Sequence, residues 1–287
     1  MPYKVTATKQ QARGLRLPSH IGITAEGRIL VSEFGGGAIR DVTDGGDYSS
    51  QSLGLLVSGL KNPSGILPTK DGSILIADSG AGEVLEYGDD KAGVLSAKRS
   101  SGGFSNPYGV VIHEDKVFVT FSNKRMVGLT EVTFGKASPS AEESFVHGFP
   151  VVITSEPTPE LMGCGGSWPT TGFRGKILLG HYALGAVFDV TKGGTFDDLR
   201  ESRFAWGLNG PLGMTVDPID NDLYVVEKAS GVIKRIPDGG GYSRFAEPLL
   251  AGFQEPSCIR FMPSGEAAYV CDRAWGAVYK LELKHIE

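Results

Sequence analysis

Six segments of this sequence can be laid over one another, and the interval between them restricts the fold more than any other feature. The second segment has the clearest pattern: Pro63-Ser64-Gly65-Ile66, a turn at Asp71-Gly72, an apolar run from Ile74 to Ala77 closed by Asp78, then Gly82 and Val84. The third repeats it with Pro107-Tyr108-Gly109-Val110, Glu114-Asp115, Val117 to Thr120 and Phe121. The fifth runs Pro211-Leu212-Gly213-Met214, Asn221-Asp222, Leu223 to Val226 and Glu227, and the sixth Pro256-Ser257-Cys258-Ile259, Ser264-Gly265, Ala268 to Cys271 and Asp272. The first is read as Ile21-Gly22-Ile23, Glu26-Gly27, Ile29 to Ser32 and Glu33, and the fourth recovers from Ile177 to Gly180, followed by His181. With Gly22, Gly65, Gly109, Ser167, Gly213 and Cys258 taken as equivalent, the units recur about every 45 residues, with one interval enlarged by about 13. A period of this size, carrying four short strands per unit, predicts a propeller blade.

The local signals agree. Short apolar runs are bounded by Gly, Asp, Asn or Ser, no long stretch keeps a helical period, and 41 of 287 residues are glycine, enough to supply that many turns. The expected class is all-β: a six-bladed β-propeller with four antiparallel strands per blade, one domain over residues 1–287. Asp44-Gly45-Gly46-Asp47-Tyr48, Lys192-Gly193-Gly194-Thr195-Phe196 and Asp238-Gly239-Gly240-Gly241-Tyr242 occupy the same place in three units. Each reads as a turn joining the third strand to the outer fourth. The sixth unit has only three strands before the chain ends, while Tyr3-Lys4-Val5-Thr6-Ala7 alternates as a strand. The N-terminal strand is therefore expected to close the last blade and remove the exposed edges of an open array.

Composition narrows the partners. The 28 Lys and Arg against 33 Asp and Glu leave a net charge of −5, the wrong sign for a nucleic-acid surface. No apolar run approaches a membrane span, and the start lacks the charged, apolar, then small pattern of a secretory leader. Three scattered cysteines (Cys164, Cys258, Cys271) form neither a disulfide framework nor a structural zinc site. A cytoplasmic, reduced protein acting on a small-molecule substrate is expected, with its oligomeric state open.

The pattern Pro-x-Gly-Ile, Asp-Gly, Ile-x-Ile-Ala-Asp, x-Gly-x-Val resembles the NHL-repeat and gluconolactonase (senescence-marker-protein) class of six-bladed propellers over nearly the whole chain. It is also similar to sorbosone and glucose dehydrogenase relatives. The resemblance implies a six-bladed ring and a site on the top face around the central tunnel. It further implies a divalent cation, Ca²⁺ or another, as cofactor.

Strand starts and second-strand ends reach that face. Four of the six strand ends are acidic, and Glu33, Asp78, Glu227 and Asp272 read either as oxygen ligands for a hard cation or as caps that accept backbone N–H bonds. The exceptions, Phe121 and His181, break a structural rule, and such positions draw functional attention. His181, followed by Tyr182, is the first catalytic candidate, with His20 on the opposite blade and Tyr108 at a strand start as acid–base partners. His147, Trp168, Lys228 and Arg273 join Phe121 and Tyr182 as candidate substrate contacts, and Lys124 and Arg125 add basic charge nearby. The enlarged interval, from Pro150 to Trp168, is longer than the scaffold needs and reads as a lid or binding segment. The function expected first is a metal-assisted lactonase or esterase-like hydrolase. The alternatives are a metal-free lyase or cyclase, a quinone-dependent dehydrogenase, and a non-catalytic binding module.

Overall fold

The computed structural model describes residues 3–50, 52–89, 95–123, 125–150, 167–173, 175–199, 201–237 and 240–286. Six antiparallel sheets follow one another along the chain. Blade I comprises Pro18–Ile23, Ile29–Glu33, Ala38–Asp41 and Leu55–Val57, from the axis outward. Blade II comprises Pro63–Pro68, Ile74–Asp78, Glu83–Asp89 and Leu95–Gly102; blade III comprises Val110–His113, Lys116–Ser122, Met126–Glu131 and Val146–Pro150. Blade IV comprises Ser167–Phe173, Lys176–His181, Ala186–Asp189 and Arg203–Trp206, and blade V Pro211–Val216, Leu223–Glu227, Val232–Ile236 and Pro248–Ala251. Blade VI takes Pro256–Phe261, Ala267–Asp272 and Ala277–His285 from the end of the chain and Tyr3–Arg13 from its start. That seam runs antiparallel from Tyr3 opposite His285 to Ala12 opposite Val278. The closing strand is thus longer than the alternation at Tyr3 to Ala7 indicates.

The apolar core is six cores, one at each blade interface, because each sheet is apolar on both faces. Phe118, Leu129 and Phe149 of blade III interlock with Ile177, Leu179 and Phe188 of blade IV. Ile21 and Val31 of blade I meet Cys258, Cys271 and Val278 of blade VI across the seam. Comparable clusters fill the interfaces V/VI, IV/V, II/III and I/II. A blade on its own buries neither face, so stability is carried between neighbours. Truncating one fully buried aromatic such as Phe188 costs about 3–5 kcal/mol.

Two details depart from the sequence reading. The first unit is aligned by Pro18: Pro18 stands opposite Glu33 as Pro63 stands opposite Asp78. Ser19 therefore matches Ser64, and His20 lies one residue further into the inner strand. The Gly-Gly segments also do more than turn the chain. Gly46–Asp47, Gly194–Thr195 and Gly241–Tyr242 each pair in parallel with the outer strand of the preceding blade. The glycine pairs have consecutive positive φ, for example +64° and +107° at Gly240 and Gly241, and a Cβ on Gly240 would sit 1.8 Å from the carbonyl oxygen of Phe204. Only glycine lets this strap lie against the neighbouring edge strand and cover it.

Candidate functional site

The upper rim is built by one repeated latch. In blades I, II, V and VI the inner strand carries a β-bulge just after its proline. In the same blades the acid closing the second strand accepts a backbone N–H from the segment entering the blade. Arg16 N–H donates to Glu33 (2.8 Å), Lys61 N–H to Asp78 (2.7 Å), Asn209 N–H to Glu227 (2.9 Å) and Gln254 N–H to Asp272 (2.8 Å). Two of the four also hold a cation from the third strand: Arg40 Nε lies 2.5 Å from Glu33, and Lys234 Nζ lies 3.1 Å from Glu227. Both pairs are buried, so each cation is needed by its acid. Among the described residues Asp78 has no such cation. Burial raises its carboxyl pKa, and its Oδ1 has no hydrogen-bond partner among the described residues.

His181 occupies the same place in blade IV, and the reason for the exchange is polarity. Here the approaching segment offers the Pro150 carbonyl, so the strand end must donate. Leu184 N–H donates to His181 Nδ1 (3.2 Å), which leaves Nε2–H to donate to Pro150 O (3.0 Å). The ring is fully buried and stacks on Phe149 at 5.7 Å. Desolvation lowers its pKa to about 4, so it is neutral at physiological pH.

His20 and Arg260 lie elsewhere, on the axis. The six inner strands touch in a closed ring. Arg260 belongs to blade VI, yet its Nη1 donates to Met214 O of blade V (2.7 Å) and its Nη2 to His20 Nε2 of blade I (2.6 Å). His20 in turn reaches Ile66 of blade II, with Nδ1 3.0 Å from the carbonyl oxygen. A side chain that touches the blades on both sides of its own must run along the axial side of its sheet. A guanidinium only donates, so Nε2 of His20 accepts and Nδ1–H donates to Ile66 O, with the Ile66 backbone nitrogen 3.2 Å from the same Nδ1. Burial, with the Arg260 charge second, holds the imidazole well below its usual pKa. Tyr108 of blade III and Leu212 of blade V, both buried, pack together across the ring although blade IV lies between them in chain order.

His20 is thus held between Ile66 of blade II and Arg260 of blade VI, Tyr108 packs on Leu212, and His181 is tied between blades III and IV; His20 and His181 are engaged by different neighbours. Arg260 escaped the sequence reading. Its signal was a lone charged residue in a column otherwise held by Gly22, Leu67, Val111 and Thr215. The other candidates are dispersed. Phe121 is buried and lines a 210 Å³ pocket with Asn123 and Ser144. Tyr182 lies over Gly210, where a Cβ would meet its ring at 2.6 Å, beside a 320 Å³ groove between blades IV and V. Lys228 Nζ is 3.8 Å from Glu255, and the buried Arg273 guanidinium sits 5.1 Å over the Phe34 ring. His147 is half-buried in the outer strand of blade III, with Nδ1 3.1 Å from Ser144 O. Trp168 pairs with Gly180 in the inner strand of blade IV. Arg125 N–H donates to Asn123 Oδ1. Lys124, Cys164 and most of the long 150–168 segment lie outside the described residues.

The rim acids do not converge as a cation site. Among the described residues, the one group of three carboxylates whose ligand atoms lie within 4.8 Å of one another is Asp217, Asp220 and Asp222, in the turn between the inner and second strands of blade V, at the opposite end from Glu227. No helix among the described residues is long and apolar enough to cross a membrane.

This architecture, a closed ring of six four-stranded blades with polar side chains on its axis, is that of the six-bladed propellers. No protein-family profile and no curated protein matches the chain. Solved structures do. A gluconolactonase from Xanthomonas campestris superposes with a TM-score of 0.66 at 11% identity, over 99% of this chain and 95% of that one. The PQQ-bound form of an aldose sugar dehydrogenase from Streptomyces coelicolor gives 0.66 at 13% identity, over 99% and 98%. Virginiamycin B lyase from Staphylococcus aureus gives 0.59 at 15%, over 99% and 100%. At these identities the likeness is one of fold, and the activities belong to those proteins.

Proposed function

We propose that this chain is a small-molecule enzyme whose substrate enters the axial channel at the face where Tyr108 and Leu212 meet, with a lactonase-like or lyase-like activity. The observation that supports it is the polar belt across the axis. Blade packing alone calls for small or apolar residues there, yet Arg260 and His20 bind each other and both flanking blades. A departure from the packing rule, with both ring nitrogens of His20 engaged, supports reading the belt as a site.

The belt suits chemistry in which negative charge develops on a small substrate. Arg260 is a fixed positive charge held in place by neutral acceptors, so it stabilises an anion without reorganising. His20 stays neutral and positions the guanidinium. Tyr108 is the nearest candidate for proton exchange at the mouth. The cation implied by the resemblance does not fit Glu33, Asp78, Glu227 and Asp272: each accepts a backbone N–H of the latch, Glu33 and Glu227 are also paired with Arg40 and Lys234, and Asp78 Oδ1, which has no hydrogen-bond partner among the described residues, belongs to no group of three converging ligand atoms. Solved propellers of the same shape include a hydrolase and a lyase, which agrees with either form of the reading.

The test is a panel of small lactones and esters followed by NMR, with native protein, chelator-treated protein and Tyr108→Phe. Turnover that survives the chelator and falls about 100-fold in Tyr108→Phe is expected. Turnover lost to the chelator and restored by a divalent ion would overturn the metal-free reading. Full activity in Tyr108→Phe would remove the channel mouth from the mechanism.

A further inference from the structure

We infer that Arg260 is an anion receptor, and that the ligand of the axial channel carries a carboxylate or an equivalent oxoanion. This rests on the channel being the ligand site and adds what the ligand must present there.

The inference starts from charge. The buried Arg40 and Lys234 and the half-buried Arg235 each face a carboxylate, Glu33, Glu227 and Asp222 respectively, and the buried Arg273 lies over the Phe34 ring. Arg260 is half-buried and has no carboxylate partner among the described residues. Its acceptors are the carbonyls of Met214 (2.7 Å) and Ile259 (2.8 Å) and the neutral Nε2 of His20 (2.6 Å). Neutral acceptors fix the position of a guanidinium and leave its charge standing. A charge withdrawn from bulk water without a counter-ion is costly, so the fold retains it where a ligand supplies the opposite sign.

Donor counting gives the shape of that ligand. Met214 O and Ile259 O take the two hydrogens of Nη1, and His20 takes one of Nη2. The Nε–H and the second Nη2–H remain without a partner among the described residues. They sit on adjacent nitrogens of a planar fork, a spacing that matches the two oxygens of a carboxylate or two of a phosphate. His20 completes the device from behind. Its ring is locked between Ile66 and Arg260 and does not protonate near neutrality, so the receptor keeps a single positive charge and one orientation. Lysine, a point charge without a fork, would not reproduce it.

The probes are malonate and inorganic phosphate, titrated calorimetrically into the full chain at constant ionic strength set with sodium chloride. Saturable binding of at least one anion is expected, at least 10-fold weaker in Arg260→Lys, lost in Arg260→Gln, and unchanged in Arg13→Ala, an exposed arginine of the outer strand of blade VI. Should the Gln variant fail to fold, native protein labelled with ¹⁵N at arginine gives the same answer, since the Arg260 Nε–H resonance must shift with anion occupancy. No saturable binding of either anion, binding retained in Arg260→Gln, or an unmoved resonance overturns the proposal. Because binding is read without turnover, an inactive protein that still binds malonate would refute the enzyme reading and leave the receptor standing.

Discussion

Lowering the pH should destabilise this protein through His181, and the size of the effect follows from its surroundings. The ring is fully buried, donates to Pro150 O and accepts from Leu184 N–H. Protonation would turn the accepting nitrogen into a donor facing a donor, in addition to burying charge. The folded pKa is about 4 against an ordinary 6.5. The unfolded chain therefore binds a proton through that window while the folded chain does not, and stability falls as pH falls from 6.5 toward 4. Integrating the linkage from pH 7 to pH 4 gives a loss of about 3 kcal/mol from this group. The assay is urea unfolding at pH 7, 6, 5 and 4 for native protein and His181→Gln, the difference between them isolating residue 181 from other titrating groups. The variant should be the less stable at pH 7 and should recover about 3 kcal/mol relative to native by pH 4. A difference that is flat across this range, or a native protein favoured by acid, would refute the buried, neutral assignment.

Three other outcomes are expected. Arg40→Met should cost about 3–5 kcal/mol in chemical unfolding, because it strands Glu33 in the blade interior, and Arg40→Met with Glu33→Gln should recover part of that loss. Asp78→Asn should stabilise the fold at neutral pH, since burial raises this carboxyl pKa in the native state and the amide oxygen can still accept from Lys61. Its advantage should vanish below the ordinary carboxylate pKa, where native and unfolded Asp78 are both protonated, as melting scans at pH 3 and 7 would reveal. Gly240→Ala should lower the melting temperature and loosen the strap onto blade IV, seen as faster amide exchange at Ala205 and Trp206, whereas the neighbouring exposed Tyr242→Ala should leave that exchange unchanged.

The six-bladed ring was legible because it is written in local chemistry repeated six times: a proline, a tight turn, an apolar run and a closing acid. Registration failed where the code was ambiguous. Ile21-Gly22-Ile23 imitates the Gly65-Ile66 segment of the next unit, and only the pairing of Pro18 with Glu33 resolves it. The Gly-Gly motifs were visible, but their partners were not, since a parallel contact with the preceding blade leaves no periodic trace. His181 stands out in the sequence as an exception, but its structural cause is the Pro150 carbonyl, and a backbone carbonyl has no letter in the sequence. Arg260 was missed for the opposite reason. Its neighbours in the column belong to other units, so its oddity emerges only when the inner strands are set around a common axis.

The central claim is that the axis of this ring holds a fixed guanidinium with its fork open to a ligand. A crystal structure grown from malonate tests it most directly. The account predicts Arg260 spanning Met214 O and His20 Nε2, with a carboxylate of malonate bound to its Nε and Nη2. An Arg260 side chain turned out of the channel, or one paired with a carboxylate of the protein itself, would contradict it.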